Sequence, residues 1–275
     1  CLNDLKQVGL AILNFESDRG TLPMGWDGTP DTRGWPQERM ATHLILPFLE
    51  EAEVLSMFDE RYRVIAIENK LPMMQQISVY ICPSDDAAGR LWFDVISRSN
   101  YAMCWGSNGI VLNTLGGARW NMQGNPDADL TNDGPFYCNK AVLLSKVGDG
   151  TSKTALAAEI LAGKVDNGSP YDARGCWGWP NTGACIYTHR NPPNSSAADE
   201  MWPGECANMP EHNLPCSASG VSNESIQHAA ARSRHSVGVN VLFGDGHVGL
   251  YSDDIDLDVW RALATINGGE ESALP

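Results

Sequence analysis

Apolar side chains at the start of the chain recur at helical spacing. Leu2, Leu5, Val8 or Gly9, Ile12 and Phe15 share one face, which predicts a helix over residues 2–17 closed by Arg19-Gly20. No Ser, Thr, Asp or Asn precedes it as a cap, so the helix reads as the continuation of a longer one. A second helical stretch spans 38–58, with Leu44, Leu46, Phe48 and Leu49 apolar and a break at Pro47; a third spans 65–76 and leads into a strand at 78–82. Beyond that the apolar runs shorten and become strand-like, at 101–105, 155–160, 239–243 and 247–251. Gly244-Asp245-Gly246 joins the last two as a hairpin turn, because Asp and Gly both tolerate positive φ. Asp256-Leu257-Asp258 opens a last helix over 257–265, with Gly268 just past its end.

A long N-terminal helix followed by antiparallel strands predicts an α+β fold in which the helix covers one sheet face. The pattern gives a single domain over 1–275. Residues 166–225 stand apart as a loop-rich insertion, dominated by Gly, Pro, Asn and Ser. The 27 Gly and 16 Pro fit long loops better than a helical bundle.

Charge narrows the partners. A formal net charge of −15 argues against nucleic acid and against an anionic membrane surface, and is compatible with divalent cations. No run of about 18 apolar residues is present to span a bilayer.

Eight cysteines without Cys-x-x-Cys spacing favour disulfides in an oxidising compartment over zinc. Cys176 with Cys185, and Cys206 with Cys216, lie close in sequence within the insertion, where staples would offset the entropy of poorly packed loops by about 2–4 kcal/mol each. Spacing alone does not settle connectivity.

Nine residues separate His235 from Asp245-Gly246. That spacing resembles the defining motif of a planctomycete family of secreted, pilin-like proteins with a prepilin-type N-terminal segment. Further stretches are similar to landmarks of that family and come in its order. They are Cys1 to Ala11 closing in Gly20-Thr21-Leu22-Pro23, Leu46-Pro47-Phe48-Leu49-Glu50, Ile81-Cys82-Pro83-Ser84-Asp85, Asp149 to Thr154, and Trp260-Arg261-Ala262-Leu263-Ala264. The resemblance implies a pilin-like fold with long disulfide-stapled loops, and a cleaved leader and apolar membrane helix upstream of Cys1, absent from this chain. It also implies pairing of Cys1 with Cys82, which fall on landmarks, leaving Cys104 with Cys138.

Candidate chemistry is sparse. His235 and Asp245 invite a base-and-orienter reading, but Asp in a hairpin turn serves backbone geometry. No Gly-x-Ser-x-Gly elbow or His-Glu-x-x-His helix marks a nucleophile or a zinc site. His235, Asp245 and Gly246 are therefore expected to be structural, and the protein not an enzyme. Residues 147–154 lack the first Gly of a phosphate loop, and Ser152 rather than Gly precedes Lys153.

The segment 127–134 offers Asp127, Asp129, Asn132 and Asp133 as oxygen ligands for Ca²⁺; an acidic solvated turn is the equal alternative. Trp177-Gly178-Trp179-Pro180 suggests aromatic rings for stacking on glycans or on a neighbouring subunit, against the alternative of small cores around disulfides. The expected function is a structural subunit of a pilus- or pseudopilus-like filament or envelope assembly, extracellular or at the cell surface, with copies of itself as partners. The rival is an extracellular module binding glycan or cation.

Overall fold

The structure, a computed structural model, describes residues 1–87, 89–111, 132–166, 171–218 and 226–269. Helix α1 (Leu2–Arg19) forms where the apolar spacing predicts it and stops at Gly20, whose φ of 76° turns the chain out of the helix. Its buried residues, Leu5, Val8, Gly9, Ala11 and Ile12, make one stripe.

That stripe lies on a five-stranded sheet. Its strands are β1 (Tyr101–Cys104), β2 (Ala155–Glu159), β3 (Ile186–Tyr187), β4 (Val239–Phe243) and β5 (Val248–Tyr251), in the spatial order β5-β4-β2-β1-β3. All neighbours pair antiparallel except β1 with β3, which run parallel. Alternation along the strands builds two cores. Tyr101, Met103 and Leu242 face the α1 side, while Ala102, Cys104, Val241 and Phe243 face the other. Helix α2 (Leu257–Ala262) closes that second side with Trp260, and Asp256 caps it by accepting hydrogen bonds from the backbone N–H groups of Asp258 and Val259. The layers are helix, sheet, helix: an α+β fold.

The β4–β5 connection is the predicted hairpin. The Gly246 N–H donates to the Phe243 carbonyl at 2.9 Å and the Phe243 N–H to the His247 carbonyl at 3.0 Å. Within this turn only Gly246 takes positive φ, at 87°, which matches a three-residue loop ending in a left-handed residue rather than a two-residue turn.

Three expectations change. The helical stretch over 38–58 breaks into short pieces, Ala41–Leu44, Leu46–Leu49 and Ala52–Ser56, with Glu50 at φ 63° between the last two. The stretch over 65–76 reduces to the short turns Ile67–Asn69 and Lys70–Met73. The strand expected at 78–82 is a 3₁₀ turn, Ser78–Tyr80, closed by the Tyr80 N–H donating to the Ile77 carbonyl at 2.9 Å and the Ile81 N–H to the Ser78 carbonyl at 3.1 Å.

Residues 171–218, the greater part of the loop-rich insertion, pack into the fold. They supply β3, and Trp177 from the same segment is 0% exposed in the main core. Ion pairs hold this polar stretch inside. The Arg174 guanidinium meets the Asp172 carboxylate at 2.6 Å, Arg232 meets Asp199 at 2.8 Å, and Arg174 lies 3.7 Å from the same Asp199. All four side chains are at most 2% exposed. Burying charge this deeply is tolerable only because each carboxylate faces a guanidinium.

Disulfides join Cys1 to Cys82 and Cys206 to Cys216. The other two expected pairs are not formed. Cys104 and Cys138 belong to different cores, Cys104 to the one beneath α2 and Cys138 to the one beneath α1, so the sheet separates them. Cys176 and Cys185 are both fully buried in the α1-side core as thiols, with the Cys185 sulfur donating to the Trp179 carbonyl at 2.9 Å.

Candidate functional site

The residues carrying the sequence motif separate to the two ends of one strand. His235 precedes β4 and Asp245 follows it, so at about 3.3 Å per residue the five residues of β4 hold them far apart. They do not form a base-and-orienter pair. Asp245 instead closes its own turn, accepting from the His247 backbone N–H at 3.0 Å and meeting His247 Nδ1 at 2.6 Å. Partial burial opposes the charge on Asp245, but these His247 contacts prevail and hold its carboxyl below the usual range.

His235 has another partner, which sequence reasoning missed. Its Nε2 lies 3.0 Å from Glu159 Oε1, at the end of β2. Glu159 is 1% exposed, and its carboxylate is held on the other side by Asn240, whose backbone N–H donates at 2.7 Å and whose side-chain amide donates at 3.0 Å. A signal was present: Glu159 is the one charged residue closing the otherwise apolar run Ala155-Leu156-Ala157-Ala158. A buried carboxylate in such a strand needs a specific partner.

This pair sits beside the Cys1–Cys82 disulfide. The Cys1 and Cys82 sulfurs, a Glu159 oxygen and a His235 ring nitrogen all lie within 4.8 Å of one another. An open groove of about 650 Å³ runs over the cluster, lined by Cys1, Ser84, Arg234, His235 and Asn240 and bordered by the apolar side chains of Leu2, Val237 and Leu250. Four remote segments converge here: the start of α1, the turn after Tyr80, the end of β2 and the approach to β4.

The other candidate residues are placed as follows. Asp127 and Asp129 lie outside the described residues. Asn132 accepts from the Gly134 N–H at 2.8 Å and donates to the Phe136 carbonyl, while Asp133 accepts the Ser107 N–H at 2.7 Å and the Ser107 hydroxyl. These hydrogen bonds tie the chain to itself at Ser107, Gly134 and Phe136.

Trp177 is enclosed by His43, Phe58 and Tyr80, and a ring with no exposed face offers no platform to a glycan. Trp179 is half-buried, packs on Trp92 at 5.0 Å between ring centres and donates to Glu205 at 2.9 Å. Both rings build core, and the Cys206–Cys216 disulfide staples the segment nearby in sequence.

Among the described residues no helix is long and apolar enough to cross a membrane. Neither a curated protein nor a solved structure matches the chain. A family model described as a protein of unknown function, DUF1559, matches residues 1–258, and such membership is consistent with an extracellular or cell-surface location. Helix α1, the sheet, the His235–Glu159 cluster and the Asp245 turn all fall inside the matched span, and the chain belongs to the DUF1559 family.

Proposed function

We propose that the chain is the globular head of a pilin- or pseudopilin-like subunit that assembles at the cell surface. The observation that carries this reading is the way the start of α1 is clamped. The Cys1–Cys82 disulfide ties it to the head, and the Tyr101 hydroxyl donates to the Cys1 carbonyl at 3.0 Å. A helical segment upstream of Cys1, which the pilin resemblance implies, would leave such a head in one fixed direction. That rigidity suits stacking of identical subunits around a helical core, where van der Waals packing and apolar burial give the association.

Leu2 and Leu10, 38% and 55% exposed on α1, add apolar surface for a neighbouring copy. The reading is not enzymatic. Contacts between heads must overcome repulsion from −15 per chain, so screening salt or divalent cations favour them.

Sedimentation and negative-stain microscopy of the full-length, processed protein, with and without salt, test the proposal. Polymers or membrane-retained protein are expected. A processed protein that stays a soluble monomer throughout would favour the binding module instead.

A further inference from the structure

The cluster beside α1 holds donor atoms that its disulfide conceals. We propose that reduction of Cys1–Cys82 converts the cluster into a four-ligand zinc site made of the Cys1 and Cys82 thiolates, His235 Nε2 and Glu159.

The geometry is close to what zinc requires. Zn²⁺ binds thiolate sulfur at about 2.3 Å and imidazole nitrogen or carboxylate oxygen at about 2.0–2.2 Å, so donors around a tetrahedron stand about 3.3–3.8 Å apart. The four donor atoms already lie within 4.8 Å of one another. Two sulfurs, one nitrogen and one oxygen form a mixed set suited to this borderline-soft ion. The sequence shows none of it. Cys1, Cys82, Glu159 and His235 come from four distant segments, and no Cys-x-x-Cys or His-x-x-x-His spacing marks them.

The surroundings also fit. Glu159 keeps the Asn240 backbone N–H, 2.7 Å from its Oε2, when Oε1 turns to the metal. Such second contacts orient a ligating carboxylate. His235 is 27% exposed on its side chain and lines the open groove, which gives an ion a way in.

The chemistry balances with a phosphine or dithiol reductant. A water-soluble phosphine breaks the S–S bond, takes the oxygen of one water to become its oxide, and leaves one proton on each sulfur. Zinc then displaces those two thiol protons. His235 binds through the Nε2 lone pair with its proton on Nδ1, giving up its contact with Glu159. The start of α1 thus stays fastened to the turn after Tyr80 in both states, by a covalent bond when oxidised and by a metal when reduced.

Zinc chloride is the probe. The full chain, reduced with phosphine and titrated calorimetrically, is expected to take up one equivalent of Zn²⁺, whereas the oxidised chain takes up none at this site. H235A lowers the affinity of the reduced protein at least tenfold, and E159Q lowers it by about tenfold. Because His235 is partly exposed, H235A and the bulkier H235Q both keep the core intact, and each is checked by circular dichroism. Reduced protein is further expected to melt at a higher temperature with excess zinc, and H235A to lose that gain. No uptake by the reduced protein, or uptake unchanged by H235A and H235Q, overturns the proposal; the second result places the zinc on other thiols.

Discussion

Leu242 occupies the space that a side chain on Gly9 would need. A β-carbon added at Gly9 would meet Leu242 Cδ1 at 2.5 Å, so α1 approaches β4 closely only because that helical position is bare. Both residues are buried, and the contact sets the distance between the helix and the sheet it covers.

Gly9→Ala therefore tests two opposing effects. Alanine favours the helix by about 1 kcal/mol, while overpacking a filled core costs about 1–3 kcal/mol. We expect a net loss of about 1 kcal/mol in urea denaturation. Leu242→Ala alone should cost about 2–5 kcal/mol. In the double variant the new methyl enters the vacated space, so the combined loss should fall short of the sum. Strict additivity would show that the two side chains do not meet.

The buried charges at Asp199 make a second prediction. Asp199 accepts from Arg232 and the Ala230 N–H, and it also faces Arg174. Asp199→Ala removes the shared anion; Arg174 keeps the Asp172 carboxylate, while the buried Arg232 guanidinium loses its anion and keeps the Ser195 and Ala197 carbonyls and the Asn213 side chain. A loss of about 3–5 kcal/mol is expected, read from the denaturation midpoint. A change below about 1 kcal/mol would mean that residues 171–218 are not held by these pairs.

Acid should destabilise the protein well above the carboxylate range. His189 is enclosed between Tyr187 and Trp260, stacked on the latter ring at 3.6 Å, and burial lowers its pKa to about 3. His43 is also lowered to about 3, by burial first and then by the Arg39 charge. In the unfolded chain both titrate near 6.5, so between about 6.5 and 3 the unfolded state binds more protons than the folded one. The stability these neutral rings contribute is fully present above pH 6.5 and declines as pH falls, by about 1.4 kcal/mol per pH unit for each ring. Urea unfolding at pH 7 and pH 5 measures the slope. His189→Gln should reduce it by the share of one proton; an unchanged slope would mean that His189 accepts a proton in the folded state.

Cysteine labelling separates the expected disulfides from those formed. Burial pushes the Cys104 and Cys176 thiols up to about 12 and raises Cys185 as well, so none should react with iodoacetamide in the native protein. After denaturation without reductant, peptide mapping should find these three alkylated, while the Cys1–Cys82 and Cys206–Cys216 peptides remain linked. Linked Cys176–Cys185 peptides would restore the sequence expectation for that pair.

Local chemistry made much of the frame legible. The 2–17 stripe, the Gly20 stop, the Gly244-Asp245-Gly246 turn and the Asp256 cap are each specified by neighbouring residues, because periodicity, positive φ and capping act over a few positions. The Cys1–Cys82 pair was legible only through family resemblance; residue spacing left it open.

Residues 166–225 look like solvent-exposed loop, since Gly, Pro, Asn and charged side chains ordinarily avoid a core. Much of 171–218 is buried nonetheless, because Asp199 meets both Arg174 and Arg232 across long separations, and local pattern carries no record of such partners. The same reason hid Glu159 from His235 and put Cys104 and Cys138 on opposite sides of a sheet. Hydrophobic spacing along the chain thus specified α1, the β4–β5 hairpin and the strands β1 and β2, but not the short pieces over 41–80 or β3. Which polar and sulfur groups meet was settled by the packing of those elements, since a buried charge or thiol is stabilised by whatever the folded chain brings within a few ångströms of it.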